Sequence, residues 1–286
     1  MAQTKRQIQA LLAQASGRSR HRFGQHFMID GNLVRLVADA GQIQPGDLTI
    51  EIGPGTGTLT EELLARGADV LAVEIDSNLA DFLERQFAAP AKFRLIRGDA
   101  LAGKHALNSE LLAAIVSAKS RDRTVRLVAN LPYNIAAPLV IEALIAGVDV
   151  LTFTVQKEVA DRLRAAPGTD DYGPLSIVAQ LLSGVELLRK LPPEAFWPRP
   201  KVHSALVRLV RDDQLHDRAA ALGTFVHRLF SARRKMLKKA LALAGAQVER
   251  ALAVTGISGE IRPEELSPAQ CLKLFLAAAS DVHREL

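Results

Sequence analysis

From Gly31 onward, apolar residues alternate along the chain between a helical and a strand period. Residues 32–40 read as an amphipathic helix, and Leu48-Thr-Ile-Glu-Ile52 as a short buried strand that runs into a glycine turn. A helix over 59–66 and a second strand over 69–75 follow, then a helix over 78–87 with Ser77 or Asn78 as its N-cap. Further strands are predicted at 93–97, 125–129 and 150–155. Strands separated by helices predict a parallel sheet with helices on both faces. Ligands of such sheets sit beyond the carboxyl ends of the strands. Glu51, Gly53, Glu74, Asp99 and Asn130 all fall at such ends.

Two more strand-like runs lie at 185–191 and 205–210, joined through the proline-rich Phe196-Trp-Pro-Arg-Pro-Lys-Val202, which reads as a rigid extended loop. Beyond about Asp212 the pattern is helical to the end, with Pro263 and Pro268 as breaks. The first 30 residues carry Lys5, Arg6, Arg18, Arg20 and Arg22 and no acid before Asp30. They read either as a solvated tail or as an arm that touches phosphates. The expected organisation is a basic N-terminal arm over 1–30, an α/β domain over 31–211 and a small all-α domain over 212–286.

Composition narrows the class. The chain has 286 residues, 48% of them apolar, enough for a substantial core. A net charge of +5 suits a polyanionic partner, although a soluble surface is often mildly basic as well. Cys271 is the only cysteine, which excludes an intrachain disulfide and points to a reducing compartment. The seven histidines have no cysteine partners and no H-E-x-x-H spacing, so no metal site is expected. Without a secretory signal or an apolar run of membrane-spanning length, the chain reads as cytoplasmic and soluble.

The glycine turn Glu51-Ile-Gly53-Pro-Gly55-Thr-Gly57 is a cofactor cradle, because backbone without Cβ lets a ligand approach closely. Thr58 stands where a dinucleotide fingerprint has its third glycine. Glu51 is placed to bind the amino end of a methionine moiety, and Glu74, roughly 20 residues on, to take ribose hydroxyls. Asp99 suits the amino group of the cofactor's adenine. Taken singly, each acid could be a solvated strand-end residue. As a series they point to S-adenosylmethionine, with a nicotinamide dinucleotide second. The missing G-K-[ST] excludes a P-loop.

Asn130-Leu131-Pro132-Tyr133 is the most specific feature. The exocyclic amine of adenine is a poor nucleophile because its lone pair is delocalised into the ring. Acceptors on its hydrogens turn the nitrogen toward sp³ geometry. The Asn130 side-chain oxygen and the Leu131 carbonyl are the candidate acceptors, Pro132 fixes the chain, and Tyr133 can stack on a base flipped from its helix. As a bare turn, the same tetrad would carry no chemistry.

With these residues in hand, the chain resembles the KsgA/RsmA family of small-subunit rRNA adenine N6,N6-dimethyltransferases. The motifs recur in order: Phe23-Gly-Gln-His-Phe27, Glu51-Ile-Gly-Pro-Gly55, Val73-Glu-Ile-Asp76, Gly98-Asp99 and Asn130-Leu-Pro-Tyr-Asn134. They continue through Gln156-Lys-Glu-Val159, Tyr172-Gly-Pro-Leu-Ser176, Pro200-Lys-Val202 and Arg233-Arg-Lys235. The resemblance implies a Rossmann-like class I S-adenosylmethionine methyltransferase fold with a helical C-terminal RNA-binding domain. Its substrate would be two adjacent adenosines near the 3′ end of small-subunit rRNA in an immature subunit, and a monomer is expected. It implies cofactor contacts at His26, Met28, Gly53, Glu74, Asp99 and Asn130, and a base-holding role for Phe196 beside Tyr133. Phe196 could instead be a core anchor of the proline loop.

Three departures stand out. His26 replaces the usual Asn of the Q-N-F motif, Arg199 and His203 add positive charge around Pro200-Lys201-Val202, and 100–124 is long and reads as an extra helix plus a surface loop. Arg199, Lys201, Arg233, Arg234, Lys235 and Lys238 are the candidate phosphate contacts. Rival readings are a large-subunit rRNA adenine methylase of the macrolide-resistance type and a non-enzymatic RNA-binding assembly factor on the same scaffold.

Overall fold

The computed structural model describes residues 3–16, 25–88, 92–103 and 105–279. Arg18, Arg20, Arg22, Phe23 and Gly24, read above as part of the arm and first motif, lie outside the described residues. The chain divides into two compact units, Met1–Ala160 with Glu186–Arg211, and Asp161–Val185 with Asp212–Leu286.

The chain opens with α1 (Lys5–Ser16), β1 (Phe27–Met28), α2 (Gly31–Ala40), β2 (Leu48–Ile52) and α3 (Thr58–Ala65). Next come β3 (Asp69–Glu74), α4 (Ser77–Gln86), β4 (Phe93–Arg97), β5 (Leu101–Gly103), β6 (Ala106–Leu107) and α5 (Ser109–Lys119). They are followed by β7 (Val125–Asn130), α6 (Ala136–Ile145), β8 (Val150–Gln156), α7 (Lys157–Leu163) and α8 (Pro174–Leu182). The last strands are β9 (Ser183–Leu191), β10 (Phe196–Trp197) and β11 (Ser204–Arg211), and the chain closes with α9 (Ala219–Ser231), α10 (Leu237–Leu243), α11 (Val248–Thr255) and α12 (Pro268–Ala279).

Seven strands form one sheet in the order β4-β3-β2-β7-β8-β11-β9. The pairs β4/β3, β3/β2, β2/β7 and β7/β8 are parallel, as the alternating pattern predicts, and β8/β11 is antiparallel. Every residue of β2 is buried, including the polar Thr49 and Glu51, because the strand is paired on both sides within the sheet. Helix α2 packs on β7 and β8, α3 on β3, and α4 on β3 and β4.

The second unit is nearly all helical. Tyr172 is its anchor: the buried ring meets Phe230 edge-on and its hydroxyl donates to the Leu266 carbonyl at 2.6 Å. Gly173 N–H donates to Ser176 Oγ at 3.1 Å, and Ser176 Oγ donates to the Arg162 carbonyl at 2.6 Å. The Tyr172–Ser176 motif thus holds this unit together.

Four local expectations change. Residues Lys5–Ser16 are not a solvated tail: Ile8 and Leu12 are buried against Leu79, with Phe27, Ile29 and Trp197 around them. The N-cap of α4 is Asp76, whose carboxylate accepts from Asn78 and Leu79 N–H. The long 100–124 segment contains the β5/β6 hairpin as well as α5. The proline loop is not wholly irregular, since its first two residues pair with Phe27 and Met28.

The docked α1 yields the first prediction. Ile8→Ala removes a fully buried side chain, at a cost of about 2–5 kcal/mol. Amide exchange across 5–16 should then accelerate while the central strands stay protected. Unchanged protection across that helix would mean that it does not depend on this contact.

Candidate active site

Three backbone hydrogen bonds carry the parallel ladder just past the strand ends. Gly53 N–H donates to the Val73 carbonyl at 2.9 Å, Gly98 N–H to the Glu74 carbonyl at 2.8 Å, and Leu131 N–H to the Thr154 carbonyl at 3.2 Å. The turns after β2, β4 and β7 are thereby brought level around one cavity. Its lining includes His26, Met28, Glu51, Gly53, Gly55, Glu74, Asp99 and all four residues of the tetrad. Segments far apart in sequence touch there. A Cβ at Gly53 (φ +67°) would lie 3.3 Å from Pro132 Cγ, and one at Gly55 (φ +61°) would lie 2.8 Å from Phe27 Cε1. Positive φ and close packing both call for glycine at these positions.

Glu51 and Glu74 are only 2% and 3% exposed. Thr60 Oγ1 donates to Glu51 Oε2 at 2.6 Å, while Gly55 and Asp76 N–H donate to the two oxygens of Glu74 at 3.2 and 2.9 Å. Burial pushes the Glu51 carboxyl up to about 8; the Thr60 bond opposes this and the charge of Glu74 adds to it. Burial likewise pushes Glu74 up to about 7, against the backbone N–H groups that favour its charge. Asp99 lies at the exposed rim, its Oδ1 accepting from Leu101 N–H at 3.0 Å.

Among the described residues the lining contains three acids and no lysine or arginine. Thr56 and Thr58 add buried hydroxyls that have no hydrogen-bond partner among the described residues. Unmatched acids and hydroxyls fit a cationic ligand with polar ends, and they oppose a pyrophosphate. The residues present therefore fit S-adenosylmethionine better than a nicotinamide dinucleotide.

The tetrad continues from the end of β7. Asn130 Nδ2 donates to the main-chain carbonyl of His26 at 2.5 Å, and Asn130 Oδ1 accepts from Thr154 Oγ1 at 2.5 Å. Tyr133 OH and Ser204 Oγ are 2.7 Å apart, and burial holds the phenol above its ordinary range against the Ser204 bond. The His26 ring stacks on Tyr133 with centroids 5.1 Å apart and planes 29° from parallel. Its Nδ1 is 2.6 Å from the Pro198 carbonyl, which can only accept, so Nδ1 carries the proton.

Not every candidate gathers here. Phe196 is 2% exposed and packed in the core with Met28, Leu191 and Leu206, away from the cavity lining; this is the anchoring alternative, imposed by its pairing with Met28. Arg199 and Lys201 are exposed in the first unit, and Arg199 pairs with Glu194. In the second unit Arg233, Arg234, Lys235 and Lys238 are exposed along the α9–α10 turn, Arg233 being 3.7 Å from Glu264. Thr60, Thr154 and Ser204 escaped the sequence reading. The available signal for Thr154 was a polar residue in a largely apolar strand, close to its carboxyl end, a signal that Thr152 in the same strand shares.

A family model described as ribosomal RNA adenine dimethylase matches residues 17–280. The ribosomal RNA small subunit methyltransferase A of Pseudomonas fluorescens is 42% identical over 264 residues, covering 90% of this chain and 93% of that protein. The protein of the same name from Prochlorococcus marinus is 38% identical over 271 residues, covering 90% and 92%. Among solved structures, the 23S rRNA methyltransferase ErmE aligns with a TM-score of 0.59 at 25% identity, over 88% of this chain and 99% of that one. A dimethyladenosine transferase from Plasmodium falciparum shares the fold, with a TM-score of 0.62 at 22% identity over 87% and 96% of the two chains.

The two acids set a pH dependence. Each holds its proton more tightly when folded than at its ordinary value of 4.5, so their ionisation opposes folding. The stability they contribute is full below 4.5 and is lost as pH rises through about 7 and about 8. Glu51→Gln removes the higher titration. Ligand-free Glu51→Gln should therefore lose less thermal stability than the parent between about pH 6 and about pH 9 in calorimetric melts. Equal losses in the two proteins would show that Glu51 ionises without penalty.

Proposed function

The chain belongs to the ribosomal RNA adenine dimethylase family, and we propose that it dimethylates N6 of two adjacent adenosines in the 3′-terminal hairpin loop of small-subunit (16S) rRNA during ribosome maturation. The observation that carries this reading is the meeting of the tetrad with the acid-lined glycine turn in one cavity, Pro132 against Gly53. S-adenosylmethionine, when bound, supplies a methyl group activated on a sulfonium cation. Glu51 and Glu74, costly to ionise while the cavity is empty, become favourable partners once a cation enters. Glu51 faces the methionine end together with the free hydroxyls of Thr56 and Thr58, Glu74 takes ribose hydroxyls, and Asp99 at the rim takes the cofactor's adenine amine. His26 and Met28 complete that wall.

At the other end, the remaining lone pair of Asn130 Oδ1 and the Leu131 carbonyl accept the two hydrogens of the target amine. Tyr133 stacks on the flipped base with one face, its other face being covered by His26. No strong base is required, because the product ammonium loses its proton readily, and most of the rate comes from positioning. We assign Phe196 to anchoring this wall from behind.

Identity of 38–42% to small-subunit methyltransferases supports the small-subunit substrate, while the likeness to ErmE keeps large-subunit rRNA as the second reading. The exposed Arg and Lys residues on both units are proposed phosphate contacts to an immature small subunit, bound by a monomer in the cytoplasm. No helix among the described residues is long and apolar enough to cross a membrane.

The test is transfer of labelled methyl from S-adenosylmethionine to unmethylated small subunits and, in parallel, to large-subunit rRNA, followed by nucleoside analysis. Dimethyladenosine in the small subunit alone is expected; label only in the large-subunit RNA would favour the second reading. In the same assay Tyr133→Ala should lower turnover by about 10- to 100-fold, the loss of one stacking contact of about 1–3 kcal/mol, with cofactor affinity retained. Parent-like turnover would remove stacking from the mechanism. Replacing Arg234 and Lys235 together by Glu should weaken RNA binding and flatten its dependence on salt. An unchanged salt slope would take those two residues out of the interface.

A further inference from the structure

We propose that Thr154 is a positioning residue for methyl transfer: from behind the cavity, it sets both acceptor oxygens that meet the target amine. The proposal rests on the methyltransferase reading above. Thr154 lies opposite Asn130 in the β7/β8 ladder and is fully buried, outside the cavity lining. Its hydroxyl donates to Asn130 Oδ1 at 2.5 Å, and its carbonyl accepts Leu131 N–H at 3.2 Å. One residue thus holds the side chain of the first tetrad position and the main chain of the second.

The direction of the Asn130 amide follows from these partners. The His26 carbonyl can only accept, so Nδ2 faces it and Oδ1 faces Thr154. A half-turn of the amide would set oxygen against oxygen at the His26 carbonyl and force the Thr154 hydroxyl to accept instead of donate. Such a turn would present N–H to the N–H of the target amine, donor against donor, and the amine would lose an acceptor. Thr154 can hold this geometry because its own backbone is fixed on two sides, opposite Asn130 in β7 and opposite Leu206 in β11. Its β-branched side chain restricts χ1, which limits the directions the hydroxyl can take. Without that hydroxyl, Oδ1 keeps its place only through the far end of the same amide.

The experiment compares the parent, Thr154→Val and Thr154→Ser in single-turnover methyl transfer to unmethylated small subunits, with S-adenosylmethionine affinity by calorimetry and thermal melts alongside. Thr154→Val keeps the shape and removes the donor. Its transfer rate at saturating RNA should fall about tenfold, the value of one net hydrogen bond, with cofactor affinity and the half-saturating RNA concentration within about twofold of the parent. Thr154→Ser returns the hydroxyl and should recover to within about threefold of the parent rate. If Thr154→Val does not fold, Thr154→Ala and Thr154→Ser, which differ by one hydroxyl, take its place in the same comparison.

A folded variant without the hydroxyl that matches the parent rate would overturn the proposal. So would a cofactor affinity that falls by the same factor as the rate, or a serine variant no faster than the variant without the hydroxyl. Absence of transfer by the parent itself would instead remove the methyltransferase reading.

Discussion

Parallel pairing of β2 with β3 on one side and β7 on the other is the constraint on which the site depends. The register sets Leu48 opposite both Asp69 and Val125, so the strands start level and finish level. Parallel neighbours must be joined by crossovers, which is why residues as distant in sequence as Gly53 and Pro132 become neighbours in space. Slipping β2 by one residue would turn Glu51 to the opposite face of the sheet and take its carboxylate out of the cavity. The ladder bonds made by Gly53, Gly98 and Leu131 extend this control into the turns.

The same burial that orders these turns places two carboxylates where ionising them is unfavourable. Glu51 has a threonine hydroxyl and Glu74 has backbone N–H groups, but among the described residues no lysine or arginine lines their cavity. Neutral hydrogen-bond donors orient a carboxylate without cancelling its charge. A cavity of this kind discriminates by sign: a cation relieves the desolvation and a pyrophosphate adds to the repulsion. Thr58, in place of a third glycine, says the same in the language of shape.

Much of this was legible in the sequence. Strand periodicity located β2, β3, β4, β7 and β8 to within a residue or two at each end, because each is a short run rich in β-branched and aliphatic residues. The glycine turn, the acids and the tetrad were read from chemistry that depends on short spacings. What stayed hidden depends on partners distant in the chain. Lys5–Ser16 looks like a basic arm because Ile8 and Leu12 alone are buried among its described side chains, and their partners Leu79 and Trp197 lie far downstream. Phe196 has the composition of a base-holding aromatic, yet pairing with Met28 turns it into the core. Thr60, Thr154 and Ser204 belong to no motif, since their role is a single hydroxyl delivered across the sheet or across a turn.

The departure at position 26 shows how main-chain contacts loosen a motif. What this position gives Asn130 is a backbone carbonyl, which any residue supplies, so replacing asparagine with histidine leaves that bond untouched. The imidazole acts elsewhere: Nδ1–H is bound to the Pro198 carbonyl and the ring lies over one face of Tyr133. In the proposed mechanism, the substitution therefore alters the platform beneath the base and leaves the grip on the amine as it was. Tyr133, gripped at its hydroxyl by Ser204 and covered on one face by His26, keeps one ring face for the proposed substrate base. Position 26 thus tolerates a change of side chain because its two tasks fall on different atoms. Asn130 has no such latitude, since both ends of its amide are engaged and, in the proposed mechanism, the same oxygen must still reach the substrate.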